Sequence, residues 1–292
     1  MRVLPGNASY IGDRQQQQDA FALSDFADAD FIAHGGYLAL VADGIGGLQY
    51  GAEAAGIAAS GFLTEYLAKS SEQTVDQALD RALDAANRAV FDAALQRDCA
   101  EQMGTTLVAA LIHQDRLYWR SVGDSHLYLC RDARLSQLNA DHNFARQLQR
   151  QVGEGLISQD DADTHPERKA LEFFIGLELL PEVERNRQPL PLRAGDILLL
   201  CSDGIDGVLP AEEMVACLNQ SPMIAAQRLC DEVLARQQPN QDNLTAVVLA
   251  YQADQPQPRQ LSGRVMNIGC LRIGILSLGL VLAYLLIRQY LA

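Results

Sequence analysis

YLALVAD at 37–43 runs into DGIGG at 43–47 and, three residues on, into GAEAAGIAASGFLTEYLAK at 51–69. The first piece is a short apolar run that ends on an Asp-Gly turn signal, and it reads as a buried strand. The last is an alanine-rich stretch without breakers, long enough for a helix. A second helical stretch follows from Thr74 to Gln96, with apolar residues at Val75, Leu79, Ala82, Ala86 and Val90. That spacing keeps one face against a core, and Thr74 with Gln77 predicts a capping box at its start.

Outward from this centre the strand signals resume: TLVAALI (106–112), RLYWRSVGD (116–124), HLYLC (126–130), DILLLCSD (196–203) and NLTAVVLAY (243–251). Strands therefore cluster around two long helices instead of alternating with them. That order points to an α+β fold with mixed, mainly antiparallel sheets and helices outside, and away from a doubly wound parallel sheet. Residues 142–190 are polar, helical in places and without strand signal, and are expected to form an inserted segment over one edge of the sheets.

The chain has 292 residues, of which 48% are hydrophobic and 21% charged, which is globular composition with length enough for a sizeable core. A net charge of −14 excludes an ordinary nucleic-acid binder, which presents a basic face. It suits a protein that gathers carboxylates to hold cations. Cys99, Cys130, Cys201, Cys217, Cys230 and Cys270 lie far apart, several inside apolar runs, and read as small buried hydrophobes in a reducing compartment, with no zinc site. The N-terminus has no apolar stretch long enough for a signal peptide.

After Tyr251 comes a linker rich in proline and glutamine, placed at 253–266, and then an apolar stretch at 267–288. Its core, 268–287, is close to the length that crosses a bilayer, with Arg272 as the one charge inside it. Apolar residues cover all its faces, so a single membrane-spanning tail anchor is expected, in place of a buried or interfacial helix. Arg259, Arg264 and Arg272 on the N-terminal side favour a cytoplasmic catalytic part, residues 1–252, at the inner membrane.

Four acids stand at strand ends beside glycine or small polar residues: Asp43 in VADGIGG, Asp124 in SVGDSH, Asp203 in LLCSDGIDG and Asp242 in NQDNLT. Asp-Gly is a common turn dipeptide, so any one of them alone is weak. Together they offer the oxygen ligands that hard divalent cations prefer. No GxxxxGK[ST], GxGxxG or HEXXH motif is present, and the GDSH at 123–126 lacks the partners of an esterase triad.

In combination and order these segments resemble the metal-dependent serine/threonine protein phosphatases, the PPM or type 2C group, across about 8–251. The matching motifs are RQQQQD (14–19), DGIGG (43–47), MGTTL (103–107), VGDSHLYLCRD (122–132), DHN (141–143), GDILLLCSDGIDGVL (195–209) and QDNLTAVVL (241–249). The resemblance implies a four-layer sandwich of two sheets between helices, and two to three Mn²⁺ or Mg²⁺ ions. It implies that Asp43 bridges two ions with the Gly44 carbonyl beside it, and that Asp203 and Asp242 complete the shell. Asp124 would help hold a third ion, and Arg14 would grip the substrate phosphate. Asp19 and Gln18 would act behind the ligands. The implied reaction is hydrolysis of phosphoserine or phosphothreonine by a metal-bridging hydroxide, on phosphorylated proteins such as Ser/Thr kinases or their membrane-associated substrates. Two departures stand out: Gln18 replaces a glutamate, and Ile45 replaces a histidine proposed as general acid in animal members. His142 and His165, in the inserted region, are candidates for the missing proton donor, with a surface or structural role the favoured reading. The alternative is a catalytically weak pseudophosphatase acting as a membrane scaffold or a dedicated phosphoprotein-binding switch. Retention of Arg14 and all four aspartates speaks against it.

Overall fold

The computed structural model describes residues 2–45, 49–99 and 102–253. The linker beyond its first residue, and the expected span at 267–288, lie outside the described residues. Among the described residues no helix is long and apolar enough to cross a membrane.

The chain opens with β1 (Arg2–Tyr10), β2 (Asp19–Leu23), the short α1 (Ala29–Gly35) and β3 (Tyr37–Asp43). The helices α2 (Gly51–Leu67) and α3 (Val75–Gln96) follow, then β4 (Leu107–His113), β5 (Arg116–Val122), β6 (His126–Arg131) and β7 (Arg134–Gln137). The inserted segment carries α4 (Phe144–Gly153), α5 (Gln159–Asp163) and the two-residue strand β8 (Glu184–Arg185). The chain continues through β9 (Leu190–Pro191), β10 (Ile197–Cys201), α6 (Asp203–Asp206), α7 (Ala211–Leu218), α8 (Pro222–Ala235) and β11 (Leu244–Gln252).

The strands form two antiparallel sheets, one in the order β1-β11-β10-β6-β7 and the other β2-β3-β4-β5-β8, with β9 also on β5. The two-residue period of each strand assigns its side chains to layers. In β3, Ala39 and Val41 face the other sheet, where they meet Val247, Leu249, Leu198 and Leu200. Leu38 and Leu40 point the opposite way, into a cluster with Ala54, Ala58 and Phe62 of α2 and Leu79, Leu83 and Ala86 of α3. In β10, Leu199 and Cys201 point outward onto Ala226, Leu229 and Cys230 of α8. Helices thus cover both outer faces of a sheet pair. Alanine on α2 permits close approach to α3, and the five described cysteines are all buried.

The α3 start is built as its sequence predicts: Gln77 N–H donates to Thr74 Oγ1 over 3.2 Å, and Thr74 N–H to Gln77 Oε1 over 3.3 Å. In the inserted segment the structure adds β8, whose Glu184 pairs with Ser121 of β5.

Candidate active site

The four aspartates come together because both sheets end at the same rim. Asp43 closes β3 in one sheet, while Asp203 opens α6 directly after β10 of the other, and Asp242 sits two residues before β11. Asp124 lies in the short connection where the chain crosses from β5 to β6, between the sheets. With Arg14, Ile45, Thr106, Lys169 and Leu171 these four aspartates line a cleft of about 460 Å³. Asp19 is paired directly with Asp43 in the β2–β3 ladder and sits behind the cleft wall. Gln18 and Gly44 support the wall from the backbone: Gly44 N–H donates to the Gln18 carbonyl over 3.1 Å.

The supporting bonds are local and specific. Thr106 accepts the Asp43 N–H on Oγ1 over 2.9 Å and shares a 2.6 Å contact with the Ser125 hydroxyl. Thr105 donates its hydroxyl to the Asp43 carbonyl over 2.8 Å. Ser202 donates to Asp19 Oδ2 over 2.7 Å, and its oxygen accepts the Thr245 N–H over 3.1 Å, tying the two sheets behind the acids. Asn243 accepts the Gln18 N–H at 2.8 Å and donates to the carbonyls of Ile11 and Gln16 at 2.8 and 3.2 Å, holding the Arg14 loop to the strand that carries Asp242. Ser202, Asn243, Thr106 and Lys169 are not among the residues singled out from sequence. Ser202 and Asn243 adjoin aspartates that are, but nothing local marks Lys169 beyond its being one of two lysines in the chain.

Gly44 must be glycine here. A Cβ would fall 2.3 Å from the Gly51 carbonyl oxygen, backbone against backbone. Gly44→Ala is expected to destabilise the fold by roughly 1–3 kcal/mol, the usual cost of overpacking. An unchanged midpoint in denaturant unfolding would count against this close contact.

Charge in the cleft is poorly offset by the protein itself. Burial, then the neighbouring Asp19 and Asp203 charges, push the Asp43 carboxyl well above its ordinary range. Burial and Asp203 raise Asp124 to about 7, and burial raises Asp19 to about 6 despite the Ser202 hydroxyl. Burial and Asp242 raise Asp203. Asp19 Oδ1 is buried without a hydrogen-bond partner. Arg14 is held in a two-pronged pair on Asp242, at 2.9 and 2.8 Å, so the group expected to grip phosphate leans on an acid of the cleft. Behind the cleft, His126 bonds Asp141 through Nε2 at 2.9 Å and Asp206 through Nδ1. Burial works against charge on this ring, but the two carboxylates outweigh it and raise its pKa to about 10. A set of partly buried, mutually repelling carboxylates that few cations compensate is a donor set that fits hard divalent ions.

Comparison with known proteins identifies the family. The family described as Protein phosphatase 2C matches residues 8–241. The serine/threonine phosphatase stp of Listeria monocytogenes is 31% identical over 215 residues, covering 73% of this chain and 83% of the relative. The crystal structure of the Mycobacterium tuberculosis serine/threonine phosphatase PstP/Ppp superimposes with a TM-score of 0.69 at 28% identity, over 87% of this chain and 100% of that one. A PstP catalytic domain in complex with two manganese ions gives 0.66 at 28% identity, over 86% and 99%. With most of its length matched by the family, the chain belongs to the protein phosphatase 2C family.

Proposed function

We propose that the chain hydrolyses phosphoserine and phosphothreonine in protein substrates, with Mn²⁺ or Mg²⁺ held in the aspartate cleft. The observation that carries this reading is the convergence of Asp43, Asp124, Asp203 and Asp242, from both sheets, with Arg14 on one open cleft. Asp43, Asp203, Asp242 and the Gly44 carbonyl would hold two ions, and Asp124 would serve a third. When bound, such ions neutralise phosphate charge and supply an activated water near neutral pH.

The protein's own groups do the rest. Arg14 presents a planar fork suited to two phosphate oxygens. Its partner in this structure, Asp242, is one of the residues that would hold an ion. Asp19, fixed by Ser202, orients water at the back of the cleft. Ile45 lines the cleft and cannot donate a proton, so no side chain at that position protonates the leaving group. The apolar stretch at 268–287 is proposed to tether this site to the cytoplasmic face of a membrane. Recovery of the chain in the soluble fraction after membrane separation would overturn the tether.

The test is turnover of p-nitrophenyl phosphate and of a phosphothreonine peptide by the purified chain, with and without Mn²⁺. Metal-dependent release of phosphate from both is expected, and its complete absence would overturn the assignment. Asn243→Ala probes the loop that carries Arg14. It removes three hydrogen bonds at once, so KM is expected to rise several-fold, with a stability loss of roughly 1–3 kcal/mol. An unaltered KM would mean that the loop does not need Asn243 to present Arg14.

A further inference from the structure

His142 opens the inserted segment and is completely buried, 0% exposed. Its backbone N–H donates to the Gly123 carbonyl over 3.0 Å, and its ring Nδ1 accepts the Gly123 N–H at 3.3 Å, so one edge of the ring is turned to the connection before Asp124. The other ring nitrogen, Nε2, is buried with no hydrogen-bond partner. A donor atom of His142 and one carboxylate oxygen from each of Glu182 and Glu184 lie within 4.8 Å of one another. With Nδ1 engaged by Gly123, Nε2 is the nitrogen left for that cluster. Both glutamates are half-buried, and none of the three residues lines the aspartate cleft.

A buried ring nitrogen with no partner is unfavourable unless something satisfies it, and here two carboxylates stand beside it. We propose that His142, Glu182 and Glu184 form a binding site for a divalent transition-metal ion, separate from the aspartate cleft. One imidazole with two carboxylates suits Zn²⁺ or Mn²⁺ better than Mg²⁺ or Ca²⁺, which favour oxygen alone. Burial holds the His142 pKa below its ordinary value, and the neutral ring is the form that ligates. Arg146 pairs with Glu182 Oε1 at 2.7 Å and does part of the cation's work there. Its side chain is 45% exposed, so it can share the carboxylate or withdraw into water.

The proton balance is simple. A neutral ring that accepts the Gly123 N–H on Nδ1 carries its proton on Nε2. An ion on Nε2 requires that proton on Nδ1, so the ring changes tautomer with no net proton release and gives up the long Gly123 contact. Loading the site therefore reaches the residue next to Asp124. It also joins the start of the inserted segment to β8, and through β8 to β5, closing the segment at both ends.

The experiment uses the full chain stripped of metal, with zinc as the probe. Bound zinc per chain is measured after equilibrium dialysis for the wild type, for Glu182→Gln/Glu184→Gln and for Asp203→Asn. The double glutamine variant is expected to bind one zinc fewer than the wild type, while Asp203→Asn retains this site. In the wild type, the nitrogen NMR signals of the His142 ring are expected to move from the Nε2–H to the Nδ1–H pattern on zinc addition. Equal zinc content in wild type and double variant, or binding only at millimolar zinc, overturns the proposal. So does an unmoved His142 signal, which decides the matter even if the double variant fails to fold. None of these readouts depends on phosphatase turnover, so failure here and failure of the enzymatic reading are distinguishable.

Discussion

Asp203→Asn is expected to lower kcat/KM by about 10³-fold while making the metal-free protein more stable. Ions in such sites contribute several kcal/mol of transition-state stabilisation, and each 1.36 kcal/mol corresponds to a factor of ten, so losing about 4 kcal/mol gives that fall. Asparagine has nearly the same shape as aspartate, and Asp203 lies at the start of α6, so the helix and the cleft wall should persist. In the metal-free state the same carboxylate is a liability, since burial and Asp242 raise its pKa. Removing the charge relieves that repulsion. The two effects have opposite signs, which separates a ligand from a merely structural acid: loss of a structural acid would lower both activity and stability. Asp124→Asn, at the position proposed for a third ion, is expected to cost less activity. Steady-state assays across a Mn²⁺ series, together with thermal unfolding in chelator, measure both. Unchanged turnover in Asp203→Asn would remove Asp203 from the site.

The second large effect is a linkage between pH, metal and stability. In the metal-free protein Asp124 titrates near about 7 and Asp19 near about 6, both raised from 3.8. Between the unfolded and folded values the folded state binds more protons than the unfolded one. Stability therefore falls as pH rises through the window from 3.8 to about 7, and the loss is complete above it. For Asp124 alone this amounts to about 4 kcal/mol. His126 acts in the same direction: its raised pKa gives stability fully present below 6.5 and lost as pH rises towards about 10. Divalent ions bind the ionised carboxylates and reverse the penalty. Added Mn²⁺ is thus expected to raise Tm by on the order of 10 °C at pH ~8 and by little at pH ~5. Scanning calorimetry at the two pH values, with chelator and with Mn²⁺, would show it. An equal Tm gain at both pH values would mean that the acids are already ionised without metal.

The parts of the fold that were legible in the sequence are those whose signals are local. The strand at 37–43 ends on an Asp-Gly signal, and the observed β3 has those bounds. The α3 start is set by a reciprocal pair three residues apart. In contrast, β1 carries Pro5 and Gly6, residue types that weaken a strand signal. It is a strand because β11 pairs with it along its whole length, from Arg2 opposite Gln252 to Tyr10 opposite Leu244. Gly6 is required there because α8 crosses it so closely that a Cβ would fall 2.1 Å from the Pro222 backbone. The second pair of covering helices, α7 and α8, has no side-chain cap bond and no equally clear start signal.

The sequence alone singled out the acids that line the cleft: those at strand ends, beside glycines, in an order that resembles one phosphatase family. Residue type and local spacing carry that information, because a carboxylate just before or just after a strand run stands at that strand's end. Only the tertiary structure decided what those acids meet. It set Arg14 on Asp242, brought Lys169 from the inserted segment to the cleft, and placed His142 against Glu182 and Glu184. Arg14 and Asp242 are separated by 228 positions and share no motif, so chain entropy gives them no local bias. They meet because two twisted sheets, packed face to face through alternating side chains, fix which ends coincide.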